Sequence, residues 1–350
     1  LAAVVNISTS QNVKGTEGQN AVPMPKALDG SPFQDFFDEF FKDRQGENSG
    51  PQQKVQSLGS GFVLDAEKGI VVTNNHVIAD ADEIEVNFSD GSKLTAELVG
   101  TDTKTDIAVL KVDASRKKLK AVKFGDSDKM RIGDWVMAIG NPFGLGGTVT
   151  VGIISARNRN LQSGPYDDFL QTDAAINRGN SGGPMFNMDG EVIGINTAIF
   201  SPTGGSVGIG FAIPTSTAAP VIKQLIKNGE VRRGWLGVHI QTVTDEIAES
   251  LGLKETKGAM IASLVEDGPA ADSELKAGDV ILEFGGVEVP EMRRLPRIVA
   301  DVEHGTTVDV AVWRDGARKT VKVTVGELKD DEMKLASVQP NGGGSGGAER

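Results

Sequence analysis

Between residues 55 and 213 the chain alternates short apolar runs with Gly, Asn and Asp, and no stretch of helical spacing intervenes. The runs are 61–64, 70–73, 84–88, 94–99, 107–112, 135–140, 148–156, 192–200 and 207–213. Regular short strands without intervening helices predict an antiparallel barrel or sandwich rather than a βαβ sheet. Ser89-Asp90-Gly91-Ser92 marks one hairpin between two of them. Glycine supplies 44 of the 350 residues while aromatics make up only 5%. That glycine share is well above the usual ~7% and reads as many tight turns.

A chain of 350 residues has room for two domains. Residues 215–227 carry helical spacing that stops at Gly229, a plausible cap. They close a first domain, 1–228, whose opening residues 1–7 are strand-like with no charged stretch before them. A signal peptide is therefore expected to be absent from this chain. Arg232-Arg233 reads as a linker to a second domain, 233–328, which mixes short strands with helical stretches near 244–251 and 295–303. Residues 329–350 end in a Gly/Ser-rich run of linker composition.

Composition removes several function classes. The formal net charge of −12 gives no general attraction for nucleic acid or anionic lipid. Without cysteine there are no disulfides, thiolate nucleophiles or Cys-type metal sites, and neither a metal nor a cofactor is expected. No run of eighteen apolar residues is present to span a bilayer. No Gly-Lys dipeptide occurs, which excludes a Walker-type phosphate loop.

Three histidines are present, His76, His239 and His304. His76 lies in Thr73-Asn74-Asn75-His76-Val77-Ile78, at the end of an apolar strand, and Asp106 opens Asp106-Ile107-Ala108-Val109-Leu110-Lys111 at the mouth of another. Ser181 sits in Asn177-Arg178-Gly179-Asn180-Ser181-Gly182-Gly183-Pro184. Acyl transfer by serine needs a hydroxyl beside a neutral imidazole, and a buried carboxylate to hold the ring's tautomer. Flanking glycines let the backbone approach a scissile carbonyl and turn the N–H groups of Gly179, Asn180 and Ser181 toward an oxyanion. Each residue alone is weak; three matched contexts on an all-β background point to a catalytic triad in the order His, Asp, Ser.

These segments, with Gly140-Asn141-Pro142-Phe143-Gly144, Gln171-Thr172-Asp173-Ala174 and Gly208-Ile209-Gly210-Phe211-Ala212-Ile213-Pro214, resemble the HtrA/Deg family of ATP-independent serine proteases. The resemblance implies a mostly β chain: a chymotrypsin/trypsin-like double β-barrel protease domain followed by a PDZ domain. It further implies a periplasmic endoprotease acting on unfolded or misfolded polypeptides and built on homotrimers that assemble into larger cages. Within it, Ala175, six residues before Ser181, floors the specificity pocket, and Thr197, Ala198, Ile199, Phe200 and Ser201 supply its wall. No acid stands there, so small or β-branched aliphatic residues are expected before the cut bond. A rival reading of Gly-x-Ser-x-Gly as an α/β-hydrolase elbow fails on chain order and context, because Asp then His should follow the serine. Here a strand-like run follows Ser181, and His239 and His304 fall in the second domain.

In that domain Trp235, Leu236, Gly237 and Val238 open a strand, and the block resembles a bacterial PDZ module. Its expected mode is strand addition along 238–242, with a peptide's terminal carboxylate in the loop at 236–238. Leu236, Val238, Ile240, Leu295 and Ile298 (or Val299) line the expected apolar pocket, while His239 and His304 take structural or solvent-facing roles. An insert at 14–54 places Phe33, Phe36, Phe37, Phe40 and Phe41 on one helical face. That face either packs on its own core or docks on another subunit or a substrate. Two function classes stay open on the same residues: an active degradative endoprotease, or a peptide-binding chaperone or sensor with latent proteolysis.

Overall fold

The computed structural model describes residues 1–12, 54–141, 147–177, 179–201 and 206–328, arranged in two compact units, Leu1–Val231 and Arg232–Arg350. In the first unit β1 (Val4–Asn12), β2 (Lys54–Asp65), β3 (Ile70–Thr73), β4 (Glu83–Asn87), β5 (Lys93–Asp102) and β6 (Ile107–Val112) close a barrel in the order β1-β2-β3-β6-β5-β4. A second barrel follows from β7 (Trp135–Gly140), β8 (Thr148–Arg159), β9 (Phe169–Thr172), β10 (Pro184–Phe186), β11 (Val192–Ile199) and β12 (Gly210–Pro214), in the order β10-β11-β12-β9-β8-β7.

Alternation along β2, β3 and β6 lets one sheet serve two cores. Val63, Val71, Ala108 and Leu110 turn into the first barrel with Val5, Ile7 and Val86. Their neighbours Phe62, Ile70, Val72, Ile107 and Val109 face the other way, onto Ile195 and Ile213 of the second barrel and Ile222 and Leu225 of helix Thr215–Asn228. Successive strand side chains take opposite faces, so a strand covered on both reads as an unbroken apolar run. The helix ends where Gly229 adopts φ 78°, its N–H bonding the Leu225 carbonyl at 2.9 Å.

Two strands, β9 and β10, escape the sequence pattern. Each has at most four residues, and β10 opens on Pro184, which has no N–H to give a ladder. The strand expected at 207–213 begins only at Gly210, after Gly208 turns through φ 80°.

The second unit holds β13 (Gly234–Trp235), β14 (Val238–Thr242), β15 (Ala259–Leu264), β16 (Val280–Phe284), β17 (Val287–Glu288), β18 (Thr307–Arg314), β19 (Ala317–Thr324) and β20 (Gly326–Glu327). Its main sheet runs β14-β15-β16-β18-β19, leaving β14 at an edge, while β13 pairs β20. Helices Asp245–Ser250 and Arg294–Ala300 complete it, the second starting one residue before Leu295. Arg233, beside the division between the units at Val231 and Arg232, is 6% exposed, and its carbonyl takes the Leu328 N–H at 2.9 Å where β13 meets β20. No helix among the described residues is long and apolar enough to cross a membrane.

One buried ion pair staples this unit. Asp279, almost wholly inaccessible, receives Arg314 Nε and Nη2 at 2.6 Å each and the Lys276 N–H at 2.9 Å. Removing one member leaves the other charge buried without its partner, so Asp279→Asn should lower stability by about 3 kcal/mol. Calorimetric unfolding of the full chain checks this; an unchanged melting profile would show the pair to be dispensable.

Candidate active site

β3 is buried along its whole length and delivers the chain to a single helical turn, Asn75–Ile78, in which His76, Val77 and Ile78 are buried. His76 therefore rides on a helical turn just beyond the strand, one step further than the sequence placed it. Gly59 makes room for this turn: a Cβ there would lie 2.5 Å from Val77 Cγ1. Asp106 enters from the neighbouring strand β6 with φ 55°, a left-handed conformation that Asp tolerates better than most side chains. That twist aims both ends of the residue at the turn. Its carbonyl accepts from Asn75 N at 3.1 Å and Asn74 Nδ2 at 2.8 Å. Its carboxylate accepts from His76 N at 2.9 Å and faces His76 Nδ1 at 2.6 Å. An ionised carboxylate only accepts, so Nδ1 carries the ring proton and Nε2 of the neutral imidazole keeps the lone pair.

Thr197 links this pair to the serine. The register of β11 against β12 shifts between Asn196 and Ala198, leaving Thr197 in a bulge. Its hydroxyl donates to Asp106 Oδ2 at 2.8 Å, and its carbonyl accepts from Ser181 Oγ at 3.2 Å. Thr197 is expected from the sequence in the pocket wall; the structure places its side chain on the aspartate, a contact invisible in the sequence without the bulge.

The loop before β10 presents Ser181 through glycine geometry. Gly179 and Gly182 have φ 92° and 85°. A Cβ on Gly182 would come within 2.2 Å of the Ser60 carbonyl oxygen and 2.4 Å of Thr73 Oγ1. Asn180 N donates to Asn177 O at 3.0 Å, Gly182 N to Asn196 O at 2.8 Å and Gly183 N to Asn180 O at 3.0 Å. The Asn180 N–H is thus committed to a turn, and of the three expected oxyanion donors only Gly179 and Ser181 remain candidates.

The expected specificity residues separate into different environments. Ala175 is half-buried between Ala174 and Ile176, which form one apolar cluster with Ala138 and Ile199. Ala198 packs instead with Leu161 and Phe211, Phe200 is 37% exposed, and Ser201 is half-buried. Asp167 holds the adjoining loop by accepting from Leu161 N and Ser163 N, both at 2.9 Å. Burial pushes its carboxyl above the ordinary range against those bonds.

The chain matches the model of the trypsin-like peptidase domain over residues 59–195, a span that contains His76, Asp106 and Ser181, and that of the PDZ domain over 234–325. A probable periplasmic serine endoprotease, DegP-like, from Brucella suis biovar 1 (strain 1330) is 48% identical over 362 residues, 98% of this chain and 70% of that one. A like-named protein of Rhizobium meliloti (strain 1021) is 50% identical over 329 residues, covering 90% of this chain and 65% of its own length. Among solved structures, the HtrA-type protease AlgW with a decapeptide superposes with TM-score 0.72 at 46% identity, over 94% of this chain and 96% of that one. A serine endoprotease from Yersinia pestis gives 0.61 at 35%, over 94% and 95%. This chain belongs to the HtrA/DegP-like family of serine endoproteases. It is a serine endopeptidase with a trypsin-like double barrel followed by a PDZ domain.

Within the PDZ domain of this protease the expected peptide-binding residues divide by depth. Leu236 and Leu295 are buried in the core, whereas Val238, Ile240 and Ile298 are partly buried against it. Trp235 pairs with Gly326 on the small sheet. Gly237 turns with φ 73°, where a Cβ would lie 2.9 Å from Pro269 Cδ. The Leu236 and Gly237 carbonyls are taken by Ala270 N and Val265 N, both at 2.9 Å. Phe33, Phe36, Phe37, Phe40 and Phe41 lie outside the described residues.

Thr197→Val keeps the shape and removes the hydroxyl from Asp106. Hydrogen bonds to charged groups are worth ~1.5–3 kcal/mol, so kcat should fall by about tenfold or more with KM little changed. Steady-state kinetics on a chromogenic peptide read this directly, and an unaltered kcat would deny Thr197 the orienting role.

Proposed function

We propose that His76, Asp106 and Ser181 are the catalytic triad of an ATP-independent endoprotease that degrades unfolded or misfolded polypeptides. The observation that carries this reading is the continuous chain of bonds from His76 through Asp106 and Thr197 to Ser181. In the reaction the Ser181 hydroxyl turns from the Thr197 carbonyl to His76 Nε2 and attacks the scissile carbonyl. Its proton passes to Nε2, and Asp106 stabilises the imidazolium so formed. The oxyanion meets the Gly179 and Ser181 N–H groups. Collapse of the adduct breaks the C–N bond while Nε2 returns the proton to the leaving amine. Water, activated by the same nitrogen, then hydrolyses the acyl-enzyme. Ala175 brings no charge to the specificity position, in keeping with aliphatic residues before the cut.

The edge strand β14 supports capture of peptide C-termini by strand addition, with Val238, Ile240 and Ile298 receiving the terminal side chains. The relatives' names support a periplasmic setting. Assembly as homotrimers, with the phenylalanine stripe docking on another protomer, rests on the family resemblance and the sequence spacing. A second reading, latent proteolysis in a chaperone or sensor, has one observation in its favour. The single Ser181 hydroxyl proton is directed at Thr197, a resting arrangement from which the serine must turn before it can attack.

Ser181→Ala should abolish casein cleavage, since triad loss costs on the order of 10⁶-fold, while peptide binding persists. Residual turnover near the wild-type rate would refute the nucleophile. Peptides with a free apolar C-terminus should raise casein turnover by the unmodified protein, and the same peptides amidated should not. Equal effects of both would contradict carboxylate capture.

A further inference from the structure

Ser60 lies in the middle of Gly59-Ser60-Gly61 on β2, in the first barrel, and is completely buried. A fully buried hydroxyl needs partners, and these lie in the second barrel. Its hydroxyl donates to the Gly179 carbonyl at 2.5 Å and accepts from Asn141 N at 2.7 Å. Its backbone N–H donates to the Ser181 carbonyl at 2.8 Å. Thr73 Oγ1 donates to the Ser60 carbonyl at 2.7 Å. Asn6 Nδ2 tightens the same knot by donating to Gly59 O and Asn141 O, each at 3.1 Å.

The bonds fall on the peptides that surround the oxyanion donors. Gly179 occupies φ 92°, a region open to glycine, and glycine is also the residue whose flanking peptides rotate most readily. The peptide joining Gly179 to Asn180 is held at both edges: Ser60 Oγ binds its carbonyl, and Asn177 O binds its N–H. The next peptide carries the Ser181 N–H. Beyond it the Ser181 carbonyl is again held by Ser60, through the backbone. One residue thus grips the nucleophile loop on either side of an oxyanion donor, and it grips from the opposite barrel. Only a hydroxyl supplies the pair of roles at this point, one proton to give and a lone pair to take the Asn141 N–H.

We propose that Ser60 is a positioning residue for acyl transfer: its hydroxyl sets the orientation of the Gly179–Asn180 peptide and so aims the Gly179 and Ser181 N–H groups at the oxyanion. This rests on the assignment of Ser181 as nucleophile. The role differs from fold support because the donors act only as negative charge develops, so their misalignment weakens the transition state and not the bound substrate.

The test compares Ser60→Ala with the wild-type full chain, using a chromogenic peptide and a peptidyl boronate that forms a tetrahedral adduct on the serine. Outright loss of an oxyanion donor costs ~10²–10³-fold, so misalignment should lower kcat by about tenfold to hundredfold. KM should stay within about twofold, and boronate affinity should weaken by the same factor as kcat. A folded Ser60→Ala protein whose kcat and boronate affinity match wild type, with only its melting temperature lowered, overturns the proposal. A parallel fall in kcat with KM raised and boronate binding intact overturns it as well. If the alanine protein fails to fold, Ser60→Cys keeps the volume with a weak donor and is read by the same criteria. Labelling of wild type by a fluorophosphonate, mapped to Ser181 by mass spectrometry, checks the nucleophile separately. Absence of that label removes both readings, whereas labelled wild type with an unimpaired Ser60→Ala removes this one alone.

Discussion

The Asp106 carboxylate is the point on which the rest of the site depends. It takes the His76 ring at 2.6 Å, the His76 backbone at 2.9 Å and the Thr197 hydroxyl at 2.8 Å. Two of these partners belong to the first barrel and one to the second. The residue reaches them only by adopting φ 55°, a backbone conformation costing on the order of 1 kcal/mol that bonds to its own carbonyl and carboxylate maintain. An acceptor with these three donors is held in one orientation. That is what an imidazole base needs from its neighbour.

Around that carboxylate the two barrels are tied twice. An apolar seam runs from Phe62, Val72 and Ile107 across to Ile195 and Ile213. Beside it lies a polar layer in which Ser60 binds backbone groups of the serine loop, Ser60 and Asn6 bind those of Asn141 just after β7, and Thr73 holds the Ser60 carbonyl. The seam sets the distance between barrels through non-directional burial. Directional bonds in the polar layer then set the angles. Gly182 permits the close approach, since a Cβ there would lie 2.2 Å from the Ser60 carbonyl oxygen, and Gly140 and Gly183 let β7 and the serine loop meet as closely within the second barrel.

The double-barrel reading was legible because the sheets obey simple alternation. Ile-Val-Val and Ile-Ala-Val-Leu are apolar throughout because each strand is covered on both faces, and the triad positions stand where such runs give way to polar turns. The serine loop was legible through its glycines. What the sequence does not display is anything set by register between distant strands. Thr197 meets Asp106 across 91 positions only because β11 bulges beneath it, and no local signal in Val192–Ile199 marks that bulge. The cross-barrel grip of Ser60 arises in the same way. The flanking glycines of Ser60 were the one available hint, since glycine within a strand marks close approach of another chain segment.

The most direct measurement of this account is the turnover of Asp106→Asn at neutral pH beside its circular dichroism. An amide at this position can donate to Nδ1, favouring the tautomer that leaves no lone pair on Nε2. The account predicts a folded protein whose kcat falls by about 10⁴-fold. A folded Asp106→Asn protein that cleaves at nearly the unmodified rate would contradict it.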